Sequence, residues 1–156
     1  MATEQRILLT PEGKADLERE LELLRATKRP ALMQRIQELT SDGDVSDNSE
    51  YEDVKEQLIQ LEGRIREIEN ILQDATVVEH AESDGTVVFG SNVTLVDGEG
   101  EVESWKIVGP EEANPRIGKI SNISPVGAAL LGKRVGETIT VAAPGGETVF
   151  TIRDVS

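Results

Sequence analysis

From Tyr51 onward the apolar residues Tyr51, Val54, Leu58, Leu61, Ile65, Ile68 and Leu72 fall at gaps of 3, 4, 3, 4, 3 and 4. A repeat of 3.5 residues keeps side chains on one side of a helix only when that helix lies along a second one. Gln57, Gln60, Glu62, Arg64, Arg66, Glu67 and Glu69 cover the remaining, solvent-facing positions. The partner helix is found upstream. Thr10-Pro11-Glu12 reads as an N-cap, a proline at the first helical position and an acid in the first turn. Leu17, Leu21 and Leu24 carry an apolar stripe that Leu32, Ile36 and Leu39 continue, and Gly43 is a helix stop. Two helices of similar length with a short polar turn between them predict an antiparallel coiled-coil hairpin, roughly 40–45 Å long at 1.5 Å rise per residue. A dimer with the turn straightened is the alternative, and Gly43 with the surrounding Asp and Ser residues argues for the turn.

Two local features need a physical account. An interior proline costs about 3 kcal/mol in a regular helix, so Pro30 predicts a kink where the stripe loses strict spacing between Leu24 and Leu32. At the start of the second helix, Asp47 and Glu50 have capping-box spacing, with Asp in place of Ser or Thr. Between Ser41 and Glu56 the chain holds seven carboxylates and one lysine. Like charges this dense repel unless solvent, a cation or a cationic partner compensates. In a hairpin they gather at and just beyond the tip.

The sequence divides near Asp74 to Glu79, and from Thr86 onward the period changes to two. Thr86–Phe89, Asn92–Val96, Val102–Val108, Glu137–Ala142 and Thr148–Val155 are β-branched runs separated by glycine-containing turns such as Pro144-Gly145-Gly146. Ser124 followed by Pro125, and Gly132 after Leu131, predict a short helix capped by Ser124 and ended by Gly132. A short stretch from Arg6 to Leu9 adds an edge strand. The expectation is an α+β chain: a helical hairpin over 1–76 with an acidic tip at about 41–50, then a small, mostly antiparallel sheet domain over 77–156.

Composition removes several classes of function. The net charge of −14 disfavours independent binding to nucleic acid and approach to an anionic membrane. With no cysteine there is no disulfide or thiolate chemistry, which fits a reducing cytoplasm. No apolar run reaches the roughly 20 residues that span a bilayer. A single histidine, His80, leaves no material for a Ser/His/Asp triad or a histidine-based zinc site. Glycines lie in turns between strands, without a phosphate-binding loop. Aromatic residues make up 3% of the chain, and Trp105 and Phe150 read as sheet core. Arg25, Lys28, Arg29 and Arg35 form a basic stretch, read as a solvated face paired with glutamates. What is left is the tip. Asp44 and Asp47, three apart across the turn, offer two oxygen donors to a Mg²⁺ ion, which often takes only one or two protein carboxylates. On spacing alone, a solvated acidic turn remains the competing reading.

Gly43-Asp44-Val45-Ser46-Asp47-Asn48-Ser49-Glu50-Tyr51 resembles the tip motif Gly-Asp-Leu-x-Glu-Asn-x-Glu-Tyr of bacterial transcript cleavage factors, the GreA/GreB family, GreA type. Leu9-Thr10-Pro11-Glu12-Gly13, Lys28-Arg29-Pro30, Leu61-Glu62-Gly63-Arg64-Ile65, Ile123-Ser124-Pro125, Ala129-Leu130-Leu131-Gly132-Lys133 and Pro144-Gly145-Gly146 match in order along the whole chain. The resemblance implies an FKBP-like second domain that docks on RNA polymerase, loosely around Ser124 and Pro125. It implies that the coiled coil enters the polymerase's secondary channel. There Asp44 and Asp47, supported by Asn48, Glu50 and Tyr51, help hold a polymerase Mg²⁺, and the polymerase cleaves backtracked nascent RNA near its 3′ end. On this reading the protein is a cytoplasmic activator of another enzyme and has no cofactor of its own.

Two departures stand out. Asp47 occupies a position where the family usually has glutamate, one methylene shorter. Thr40-Ser41-Asp42 replaces an approach rich in Ala, Arg and His and adds a further tip acid. Because Gre-like proteins with extra tip aspartates inhibit polymerase, an inhibitor that binds without cleavage is the alternative. A prolyl isomerase or chaperone is a third reading, and the scarcity of aromatic residues for a proline pocket counts against it.

Overall fold

The computed structural model describes residues 6–41, 43, 48–80 and 84–156. They form two compact units, one of Met1–Gly13 with Ala75–Ser156 and the other of Lys14–Asp74.

The second unit is the hairpin. Helix α1 spans Pro11–Leu23, a π-helical turn Leu24–Lys28, α2 Arg29–Thr40 and α3 Ser49–Asp74. Along the seam Leu17, Leu24, Val54, Leu61, Ile65 and Ile68 are buried, and Leu32, Ile36, Leu39 and Leu58 are half-buried. At the far end Ile71, on a flank of the seam, is more buried than the seam residue Leu72. The helices pack within one chain, as the hairpin reading requires.

The kink expected at Pro30 is resolved as a change of helix type. From Leu24 to Leu32 the stripe advances eight residues, one more than a heptad. The π-helical turn takes up that extra residue, with the Arg29 amide donating to the Leu24 carbonyl five positions back. The wider turn also relieves the clash an α-helix would force between the Pro30 ring and the carbonyl four residues earlier. Pro30 then sits in the first turn of α2, where a missing N–H costs little.

Charged pairs flank the seam on both sides. Glu50 and Arg64 share one heptad position; Glu62 and Glu69 share the other. Arg64 donates to both oxygens of Glu20 at 3.0 and 2.9 Å, Arg29 to Glu62 at 2.9 Å, and Arg25 to Glu69. Arg25 and Arg29 of the basic stretch are therefore taken up by glutamates of α3. The pairs are exposed or half-buried and open to solvent, so each contributes about 1 kcal/mol or less.

The Glu20–Arg64 pair gives a pH signature. The hydrogen bond from Arg64, followed by its charge, holds the Glu20 carboxyl below its ordinary value of 4.5. A carboxyl depressed in the folded state stabilises above its unfolded pKa, and the contribution is lost as pH falls through the folded value. Arg64→Gln should therefore be less stable than wild type by under about 1 kcal/mol at pH 7. The gap should narrow as the pH falls below 4.5 and close once Glu20 is protonated in the folded state. Paired denaturant melts across this range check it, and a gap that persists in acid would contradict it.

In the first unit, β1 (Leu8–Leu9) pairs in parallel with β2 (Thr76–Val77). The main sheet contains β3 (Asn92–Asp97), β4 (Val102–Val108), β5 (Lys119–Ser121), β6 (Thr138–Ala143) and β7 (Gly146–Val155), in the order β5-β4-β3-β7-β6. All its pairings are antiparallel except β4–β5. Helix α4 (Pro125–Leu130) lies over its core. Val87, Val93, Leu95, Ile107, Ile120, Leu130, Ile139, Ile152 and Val155 form that core, with Trp105 and Phe150 packed against it.

Two expectations change. Thr86–Phe89 is not a strand: Thr86 makes one isolated bridge to Arg134, and Val87 exchanges backbone hydrogen bonds with Gly132 and Lys133 at 2.9 and 2.8 Å. Val87 is apolar because its side chain enters the core, not because it belongs to a ladder. Conversely β5 had no sequence signal, since three residues are too few to display a period of two.

Thr10 caps α1 as expected, accepting from the Gly13 amide at 3.0 Å. An unexpected partner joins it. Glu112, from the loop after β4, accepts from the Thr10 amide at 2.8 Å and from its hydroxyl. Its carboxylate lies where a Cβ on Gly13 would sit, so a larger residue there would have to displace the Glu112 side chain.

Candidate functional site

Asp44 and Asp47 lie outside the described residues, as does Asp42. The tip is defined by the helix ends on either side. Helix α2 stops at Thr40, and Gly43 has φ of 109°, a conformation that favours glycine. On the returning side Asn48 caps α3. Its side-chain oxygen accepts from the Glu50 and Tyr51 amides at 3.0 and 3.3 Å. Asp47, given a capping role from its spacing to Glu50, lies outside the described residues; among those described, Asn48 is the cap. Asp and Asn are equally good caps, so residue type alone does not separate the two positions.

Glu50 and Tyr51 have separate tasks. Glu50 accepts from Arg35 Nε at 3.0 Å across the hairpin. The Tyr51 ring is half-buried, with Lys55 Nζ 5.9 Å from its centroid. Among the described residues no group of three acidic or histidine side chains could hold a metal ion. The described carboxylate nearest the tip on each arm, Glu38 and Glu50, is bound by Arg35. Between these two the sequence places Asp42, Asp44 and Asp47, and Glu52, Asp53 and Glu56 follow as exposed carboxylates of α3. Two aspartates are suitable hard donors for Mg²⁺.

The second sequence-assigned patch, Ser124 and Pro125, is a built turn. Ser124 Oγ donates to the Ser121 carbonyl at 2.7 Å and accepts from the Gly127 amide at 3.1 Å. Ser121 Oγ accepts from the Ile123 amide at 3.1 Å. Both serine hydroxyls are satisfied within the turn, whereas Asn122 Oδ1 is buried without a partner. The turn presents Pro125 and Ile123 outward, and Ile123 is 70% exposed. Ile123 was missed as a site residue. The available signal was a large apolar side chain directly before a capping serine, where a turn would ordinarily be polar.

One concavity of the sheet unit, of about 440 Å³, is lined by Thr10, Pro11, Glu12, Val78, His80, Asn92 and Lys106. Another, of about 320 Å³, has Trp105 and Ile117 on its wall beside Asn92, Thr94, Lys106 and Lys119. Phe150 is packed on the core. No described helix is long and apolar enough to cross a membrane.

The chain thus combines a helical hairpin, with an acidic segment at its turn, and a small mixed-sheet domain. Comparison with known proteins gives the family. Residues 7–77 match the model "Transcription elongation factor, N-terminal" and residues 82–156 match "Transcription elongation factor, GreA/GreB, C-term". The chain belongs to the GreA/GreB family of transcription elongation factors. It is 44% identical to transcription elongation factor GreA of Bacillus subtilis, over 100% of both chains. To that of Roseiflexus castenholzii it is 48% identical, over 94% of this chain and 95% of that one. A solved structure of the transcription factor Gfh1 is 33% identical over 98% of this chain and 99% of that one, with a TM-score of 0.48.

Proposed function

We propose that this protein binds RNA polymerase through the turn around Ile123, Ser124 and Pro125, and inserts its coiled coil into the secondary channel. At the polymerase active site Asp44 and Asp47 complete the coordination of a catalytic Mg²⁺ and orient the water that attacks the backtracked RNA. The observation that carries this reading is the tip. The sequence places seven carboxylates between Ser41 and Glu56, Arg35 takes up Glu38 and Glu50 on either side of the turn, and Asp44 and Asp47 fall between these two in sequence.

The division of labour follows from the chemistry. Two exposed aspartates on a turn are a weak metal site alone, because nothing fixes their geometry. Inside the polymerase, ligands from the enzyme supply what the tip lacks. A bound Mg²⁺ would polarise the scissile phosphate and lower the pKa of the attacking water. The protein's own contribution is to place two carboxylates at the end of a stiff arm, with Asn48 fixing where α3 begins. The factor activates an enzyme and is not one itself.

The retained Asn48, Glu50 and Tyr51 favour cleavage over plain inhibition, despite the shorter Asp47. The test is to incubate the protein with a backtracked elongation complex and resolve the RNA on a gel. Short 3′ fragments and resumed synthesis are expected. Slowed synthesis without fragments would overturn this reading in favour of the inhibitor.

A further inference from the structure

We propose that Arg35 is a positioning residue for the tip, acting through Glu50 and Glu38; the part of this that concerns RNA cleavage rests on the function proposed above. From Ile36 to Val54 the sequence has seven carboxylates and no lysine or arginine. Arg35 is therefore the last cation before the tip, and each nitrogen of its guanidinium is engaged. Nε donates to Glu50 at 3.0 Å, Nη2 donates to the same carboxylate, and Nη1 donates to Glu38 at 3.0 Å. One planar fork thus joins the last turns of α2 to the first turn of α3, the two helix ends between which residues 42–47 must run. Among the described ion pairs that link the two arms, this is the one nearest the tip.

Electrostatics gives the clasp its direction. Glu38 and Glu50 share a single guanidinium, which brings two like charges together that would repel without it. Removing Arg35 leaves that repulsion at the mouth of an already acidic loop, and the helix ends should part there. Asn48 alone cannot prevent this, because its hydrogen bonds lie within the start of α3. A lysine is a poor replacement, since a single ammonium cannot reproduce the fork. Because the pair is exposed, its effect on global stability is small. Its effect on tip placement is larger, because catalytic groups lose roughly 10²-fold in rate for a misplacement of about 1 Å.

The experiment is a double-mutant cycle with Arg35→Gln, Glu50→Gln and the pair together, measured on a backtracked complex at varied factor concentration. Each single variant should lower the cleavage rate at saturation by about tenfold or more. The concentration for half-maximal effect should stay unchanged, because the Ile123 turn is untouched. The double variant should be no slower than either single one. Equal rates for wild type and Arg35→Gln, additive losses, or a loss confined to half-saturation would overturn the proposal.

A second readout does not depend on cleavage. The chain has no cysteine, so spin labels at Gln37→Cys and Glu56→Cys report the separation of the arms near the tip. Arg35→Gln should lengthen and broaden that distance, and an unchanged distribution would overturn the clasp. If the wild type produces no RNA fragments, the proposed function fails while the clasp is still judged by this distance.

Discussion

Asp44→Ala is expected to abolish cleavage of backtracked RNA while the protein still binds polymerase. The reasoning rests on how little the tip has to spare. Two carboxylates of this chain are assigned to the metal, and at other enzymes removing one preorganised electrostatic group costs about 10²–10³ in rate. Here the loss is compounded, because Asp47 is one methylene shorter than the glutamate common at its position. Binding should survive, since Ile123, Ser124 and Pro125 lie in the separate sheet unit. Single-turnover cleavage at saturating factor, with a competition binding assay alongside, checks both halves. A variant that cleaves within tenfold of wild type would remove Asp44 from the chemistry.

Gly127→Ala should be among the most damaging single-methyl additions in the molecule. A Cβ at Gly127 would lie 2.0 Å from the Ser121 carbonyl oxygen and 3.1 Å from Ser124 Oγ. The obstacle is backbone, which cannot swing aside as a side chain would. Relief requires shifting α4 off the sheet or breaking the Ser124 cap, at about 3 kcal/mol by comparison with overpacked cores. The same substitution at Gly63 should have the opposite sign. Gly63 is exposed within α3 with nothing within 4 Å of an added Cβ, and alanine gains about 1 kcal/mol over glycine in a helix. Thermal melts of the two variants should therefore move in opposite directions. Because the Gly127 change disturbs the turn that presents Ile123 and Pro125, it should also weaken polymerase binding.

The coiled coil was legible because its cause is periodic. A seam at 3.5 residues names both the helix and its need for a partner, and Ser124, Pro125 and Gly132 marked α4 by three independent local preferences. What escaped was set by contacts between distant residues. Glu112 meets Thr10 across 102 positions, and no local pattern announces it. Val87 looks like a strand residue because burial and β-pairing select the same side chains. The break at Pro30 was visible, yet its form was not, since proline alone does not distinguish a kink from a π-helical turn. The eight-residue step from Leu24 to Leu32 does, once read as an inserted residue. For the candidate site, chemistry was legible in the carboxylates, whereas the cap at Asn48, the Arg35 clasp and the outward Ile123 depended on geometry.

The parallel pairing of β1 with β2 constrains the order of folding. Leu8 stands opposite Thr76, 68 positions later in the chain. Closing so long a loop from a disordered state costs roughly 4 kcal/mol in chain entropy, far more than two short strands return. A hairpin formed first, from contacts that zip along neighbouring turns, brings the ends together and removes most of that cost. The helical arm is thus expected to nucleate early and the β1–β2 ladder to close late. Mutations in the seam should slow folding, and changes in β1 should chiefly speed unfolding.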